Sequence, residues 1–177
     1  MSDSELAPQK PDIRIYTLGK FFIMQEGAVI TESSSRSRRM WEIFKFLLSN
    51  RGKAFTPDEI LSRLWPNKDY NDPGSVLRTQ MFRLRQSLSQ SHDSKLSLTD
   101  NLVFLHGTYS WEDKIDYWLD VHDFENTASE ARQKMDDNPK EAISLYKRAI
   151  ELYRGEYLPE SSFTEWIAPM RTYYQDL

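Results

Sequence analysis

The stretch GSVLRTQMFRLRQSL, residues 74–88, gathers side chains suited to contacting nucleic acid. Arg78, Arg83 and Arg85 carry guanidinium forks that bond guanine edges or clamp phosphate, and Ser75, Thr79, Gln80 and Gln86 can hydrogen-bond bases or backbone. Leu77, Met81, Leu84 and Leu88 recur at helical spacing, which predicts a helix with these four buried. The opposite face then presents Ser75, Thr79, Phe82, Arg83 and Gln86, with Arg78 and Arg85 at its margins. Phe82 there either meets a thymine methyl or sugar or covers a neighbouring side chain. As a bare charge cluster the arginines are more simply a solvated helix edge. A second basic group, Arg36, Arg38 and Arg39, opens another helix, where cations oppose the helix dipole. Phosphate would compensate that charge, and a solvated loop is the alternative.

Residue types for bond-making chemistry are scattered. Ser91, His92 and Asp93 supply the members of a hydrolase triad, but adjacent loop residues rarely reach triad geometry. His92, His106 and His122 have no metal-ligand spacing, no Gly-rich phosphate loop occurs, and cysteine is absent. Asp136 and Asp137 precede a helix start at Pro139 and read as turn and dipole complement. The expectation is no enzyme, no metal and no cofactor.

The elements around residues 74–88 favour the DNA reading. IRIYTLGKFFI, a QEG turn and AVI predict a small antiparallel sheet. RRMWEIFKFLLSNRG places Met40, Trp41, Phe44, Leu47 and Leu48 at helical spacing and ends at Gly52. TPDEILSRLW carries a capping box, with Thr56 as N-cap, Pro57 at the first helical position and Glu59 three residues on. After residues 74–88, LSLTDNLVFLHGTYSW predicts a hairpin turning at Asp100 and Asn101. A short sheet, three helices and a closing hairpin make a winged helix-turn-helix, an α+β domain whose third helix enters the major groove.

From Ile115 onward the pattern is helical. Val121, Phe124, Ala128 and Ala131 share one face, and Ala142, Ile143, Tyr146, Ala149, Ile150 and Tyr153 form a second stripe. A third stripe holds Trp166, Ile167, Met170, Tyr173, Tyr174 and Leu177, with Pro169 bending or restarting its helix. All three are expected to be core. Charge divides accordingly: residues 1–112 hold 15 Lys+Arg against 13 Asp+Glu, and 113–177 hold 8 against 14. The expected domains are a disordered leader at 1–12, a winged helix at 13–112 and an all-α, TPR-like unit at 113–177. No apolar run matches a membrane span or signal peptide, which with the lack of cysteine predicts a cytoplasmic protein with no membrane partner.

VLRTQMFRLRQSL resembles the recognition helix of OmpR-type winged helices, with Leu77, Met81, Arg83, Leu84, Arg85 and Leu88 on its pattern. FTPDEILSRLWP is similar to the second helix of that family, ending on Trp65, and GTYSW to its wing terminus. DVHDFENTASEAR, EAISLYKRAIELYRGEYLPE and FTEWIAPMR resemble the bacterial transcriptional activator domain. The two in this order resemble the SARP-type transcriptional activators. That resemblance covers about residues 13 to 177.

The resemblance implies a transcriptional activator that binds direct repeats in double-stranded promoter DNA as a homodimer and recruits RNA polymerase. It implies that the loop with Asn67, Lys68, Asp69, Tyr70, Asn71 and Asp72 faces polymerase. Ser75, Gln80 and Phe82 depart from the family pattern, so base preference is expected to differ there. The activator half is shorter than usual, which leaves open a fragment of a longer regulator. The alternative is a helical protein-interaction module with little DNA binding of its own.

Overall fold

The computed structural model describes residues 11–34, 37–89, 97–161 and 165–177. Strands β1 (Ile13–Tyr16), β2 (Phe22–Gln25) and β3 (Ala28–Ile30) form an antiparallel meander, in which the turn at Glu26 and Gly27 takes positive φ at both positions. Alternation sends Ile13, Ile15 and Ile23 inward. Helix α1 (Arg38–Ser49) packs its aromatic side there, and Phe21, Trp41, Phe44 and Trp111 meet edge to face or tilted, centroids 5.2–5.8 Å apart.

After strand β4 (Ala54–Phe55), helix α2 (Pro57–Leu64) starts on the expected capping box: Thr56 accepts from the Glu59 amide, and the Glu59 carboxylate accepts from the Thr56 amide. Helix α3 (Pro73–Leu88) begins one residue before the predicted stretch, its Asp72 cap accepting from the Ser75 amide at 2.9 Å. Strands β5 (Leu102–Leu105) and β6 (Thr108–Trp111) close the hairpin, with β4 as third strand in the order β4-β6-β5.

The hairpin does not turn at Asp100 and Asn101. Residues Leu98–Asn101 are a 3-10 turn, and the chain reverses at His106 and Gly107, with φ of 50° and 80°. Asn101 is buried, its side-chain oxygen accepting from the Lys114 and Ile115 amides, so this residue organises the exit from the hairpin. Two consecutive positive φ values match hairpin twist, and glycine at 107 supplies the more demanding one.

The pattern after Ile115 is not wholly helical either. Strand β7 (Trp118–Leu119) runs parallel to β1 and completes a sheet of order β3-β2-β1-β7, with Arg14 opposite Trp118 and Ile15 opposite Leu119. Helices α4 (Asp120–Lys134) and α5 (Pro139–Leu152) form an antiparallel pair, and α6 (Ala168–Asp176) starts around Pro169.

The two halves share one core, from Ile13 to Tyr174. Buried Asp120 accepts from the Thr17 and Leu18 amides at 2.7 and 2.8 Å and from the Thr17 hydroxyl at 2.6 Å, fixing α4 beneath the β1–β2 loop. The Leu158 amide donates to the Thr17 carbonyl and the Gly19 amide to the Glu156 carbonyl, so the turn after α5 continues the grip. Lys45 on α1, with no exposed side-chain surface, pairs with Glu32 and Glu42 and donates to Ser161 at 3.1 Å. Sequence pattern at 113 marks a change of element type, whereas side chains and strands run across it.

Some stripe residues expected in the core face outward: Ile143, Ile150 and Tyr173 are 55%, 72% and 51% exposed. Helical spacing makes those positions one face of α5 or α6, but nothing in the described chain covers that face.

Candidate nucleic-acid interface

Helix α3 divides as its spacing predicts. Leu77, Met81, Leu84 and Leu88 are buried against α1 and α2, while Ser75, Arg78, Thr79, Phe82, Arg83, Arg85 and Gln86 are exposed. Phe82 is 61% exposed, so it covers no neighbour effectively. The Thr79 hydroxyl donates to the Ser75 carbonyl at 3.0 Å, which leaves its oxygen lone pairs turned outward as acceptors.

Gln80 departs from its expected place in the DNA-facing set. It is buried, and its Oε1 accepts from the Ser37 hydroxyl at 3.0 Å, pinning α3 to the start of α1. The cause is angular: Gln80 lies at the edge of the stripe, beside Leu77 and Leu84 on the helix surface, inside a buried face wider than the leucine stripe alone. Ser37, thus engaged, gives α1 no side-chain cap, and no acidic residue stands in that helix's first turn. Arg38 and Arg39 are exposed there, Arg39 lying 5.5 Å from the Trp65 ring centroid. Arg36, and Ser91 to Asp93, lie outside the described residues.

The hairpin sits beside α3. Arg85 donates to the Leu102 carbonyl at 3.3 Å, and the charges of Arg78 and Arg85 both act on the Tyr109 hydroxyl, whose pKa is nonetheless raised by burial. Phe104 and Leu105 are 54% and 56% exposed beside the His106–Gly107 tip. These tip residues were not among the sequence candidates. The signal that could have found them is a His-Gly pair between the β-rich runs LVFL and TYSW.

The loop between α2 and α3 mixes exposed and anchored residues. Asn67, Lys68, Asp69 and Asn71 are exposed, Tyr70 is half-buried against the core, and Asp72 is the α3 cap. Among the described residues, no group of three or more His, Asp or Glu side chains could hold a metal ion, and no helix is long and apolar enough to cross a membrane.

This arrangement defines a winged helix joined to a helical-pair domain. The family model described as transcriptional regulatory protein, C terminal, matches residues 31–100, and that of the bacterial transcriptional activator domain matches residues 119–177. The chain therefore carries, in order, the two domains of a SARP-type transcription regulator. Both matched families are transcription-regulator domains, not enzyme families. Among solved structures, Mycobacterium tuberculosis EmbR in complex with a low affinity phosphopeptide matches with a TM-score of 0.77 over 93% of this chain, at 14% identity. The chain spans 42% of that structure's length, and the likeness is one of fold. No protein of curated function matches the sequence.

Proposed function

We propose that this chain is a sequence-specific transcriptional activator, binding promoter direct repeats as a homodimer with α3 in the major groove. Ser75, Arg78, Thr79, Phe82, Arg83 and Gln86 meet base edges and phosphates. Arg85 and the β5–β6 tip follow the adjacent backbone. The carrying observation is that α3 turns these polar and basic side chains outward while its leucine face is fully packed. Arg38 and Arg39, beside the uncapped amides of α1, hold a neighbouring phosphate. Asn67, Lys68, Asp69 and Asn71 contact RNA polymerase, with Tyr70 and Asp72 holding the loop's shape. The protein acts in the cytoplasm and carries no catalytic activity.

The test is fluorescence anisotropy with DNA upstream of the protein's own gene. If about five phosphates are neutralised, log K falls against log salt with a slope near -4.5. Unchanged affinity after Arg83→Ala plus Arg85→Ala sinks the proposal. Footprinting that shows paired direct repeats supports the dimer.

A second reading makes the acidic helical half a protein-binding module. The exposed Ile143 and Ile150 on α5 favour it. Retention of all partner binding with no DNA binding by the whole chain would select that reading.

A further inference from the structure

The outer face of the N-terminal sheet meets the end of α5 in a hollow that DNA recognition leaves unused. Arg14 and Trp118 stand opposite one another in the β1–β7 register, so their side chains leave the same face, and Tyr16 joins them two residues along. Leu152 and Arg154 overhang this face from the other half of the chain. The hollow holds about 560 Å³, within the range of roughly 300–1,000 Å³ usual for small-molecule sites.

Its walls are held in place. Asp123 accepts from the Trp118 indole N–H at 3.2 Å and from Arg148 at 2.7 and 3.0 Å, which fixes the indole and neutralises Arg148. The Arg154 guanidinium lies 4.9 Å from the centroid of Tyr16, itself stacked on Phe22 at 4.2 Å. Arg14 and Arg154 have no ion-pair partner among the described residues, and Glu151, exposed at the rim, pairs with neither.

We propose that this hollow binds a mononucleotide-sized phosphate ester carrying a planar ring. Two unpaired guanidinium groups match a phosphate monoester, which carries about -1.5 to -2 charges at neutral pH, and their planar forks suit its oxygens. The indole of Trp118 and the side chain of Leu152 offer an apolar surface for the ring. A ligand seated there touches β1, β7 and α5 together, and so bridges the DNA-reading half and the helical half. This site stands on its own geometry and is independent of the DNA-binding proposal.

Isothermal titration of the 177-residue chain with adenosine 5′-monophosphate, adenosine and inorganic phosphate tests it. Nitrogen-resolved NMR of the Trp118 indole, assigned with Trp118→Phe, locates the site. The expected result is one-site binding of the monophosphate with a shift of the Trp118 indole resonance. Adenosine and phosphate alone should each bind at least about tenfold more weakly, and Arg14→Gln plus Arg154→Gln should weaken the monophosphate by about tenfold or more. No heat and no indole shift at millimolar monophosphate overturns the proposal. So does unchanged affinity in the double variant, or phosphate or adenosine binding as tightly as the ester. The indole shift is read on the unsubstituted protein, so the test survives a double variant that fails to fold.

Discussion

Gly19 and Gly155 face each other backbone to backbone: a Cβ on Gly155 would lie 3.0 Å from Gly19 Cα, and one on Gly19 would lie 2.6 Å from the Arg154 carbonyl oxygen. Here the β1–β2 loop presses on the turn that ends α5. Both residues have positive φ, +82° and +147°. Gly19→Ala is therefore expected to cost at least about 1–3 kcal/mol from conformation alone, with the carbonyl clash adding to it. Each kcal/mol lowers the melting temperature of a chain this size by about 2–4 °C. Calorimetry checks this, and a Gly19→Ala protein that melts unchanged contradicts the contact.

Asp120 receives four hydrogen bonds from donors alone. Oδ2 accepts from the Thr17 and Leu18 amides, and Oδ1 from the Thr17 hydroxyl and the Val121 amide. Burial raises its pKa, and the hydrogen bonds oppose that rise. In Asp120→Asn one oxygen becomes an NH2 group that must face two donors in either orientation. Leaving such buried donors unpaired costs about 1–3 kcal/mol each, so urea unfolding should shift by at least about 2 kcal/mol. Thr17→Val, which removes one donor, should cost less.

Arg83 and Arg85 should separate stability from affinity. Among the described residues Arg83 makes no ion pair, whereas Arg85 bonds the Leu102 carbonyl. Arg83→Ala is expected to leave the melting temperature unchanged while costing about 1–3 kcal/mol of DNA binding if it reads a base. If it touches phosphate instead, the salt slope should shrink by about 0.9. Arg85→Ala should lower both affinity and melting temperature, and melting curves of the two variants beside the parent protein decide the matter.

His122 accepts from Arg51 at 2.9 Å in its neutral form, which links α4 to the residues after α1. Burial first, and the Arg51 charge second, lower its pKa from the ordinary 6.5. The unfolded chain therefore binds this proton at higher pH than the native one. The stability it contributes is complete above pH 6.5 and is lost as pH falls through the lower folded value. Stability measured between pH 7.5 and 5 should decline, and His122→Gln should flatten the decline in about that range. An identical slope in the variant removes His122 as its source.

Legibility followed the physics of each signal. The capping box of α2 and the leucine stripe of α3 are local codes, and both stand where the sequence placed them. Gln80 escaped because helical periodicity locates the centre of a buried face and not its width. The hairpin turn escaped because Asn101, a turn former by type, is spent inside on the Lys114 and Ile115 amides. Strand β7 escaped because two residues carry no alternation, and its partner lies about a hundred positions upstream. Ile143 and Ile150 show the limit of amphipathic reasoning, which finds an apolar face but not its cover. The Arg14–Trp118 hollow joins residues that no local pattern links.

The late position of β7 sets an order of assembly. During synthesis α1, α2 and α3 are all made before Trp118 exists, yet β1 keeps an open edge and Thr17 and Leu18 keep bare amides until Trp118 to Asp120 arrive. Pairings across such sequence distance close late and leave intermediates exposed to association. A nascent chain stalled at residue 112 should thus aggregate or bind chaperone, and one stalled far enough past Asp120 to clear the ribosome should not. Helix α3, proposed to read DNA, is finished early, but the platform beneath it sets only when the first turn of the second half has been made.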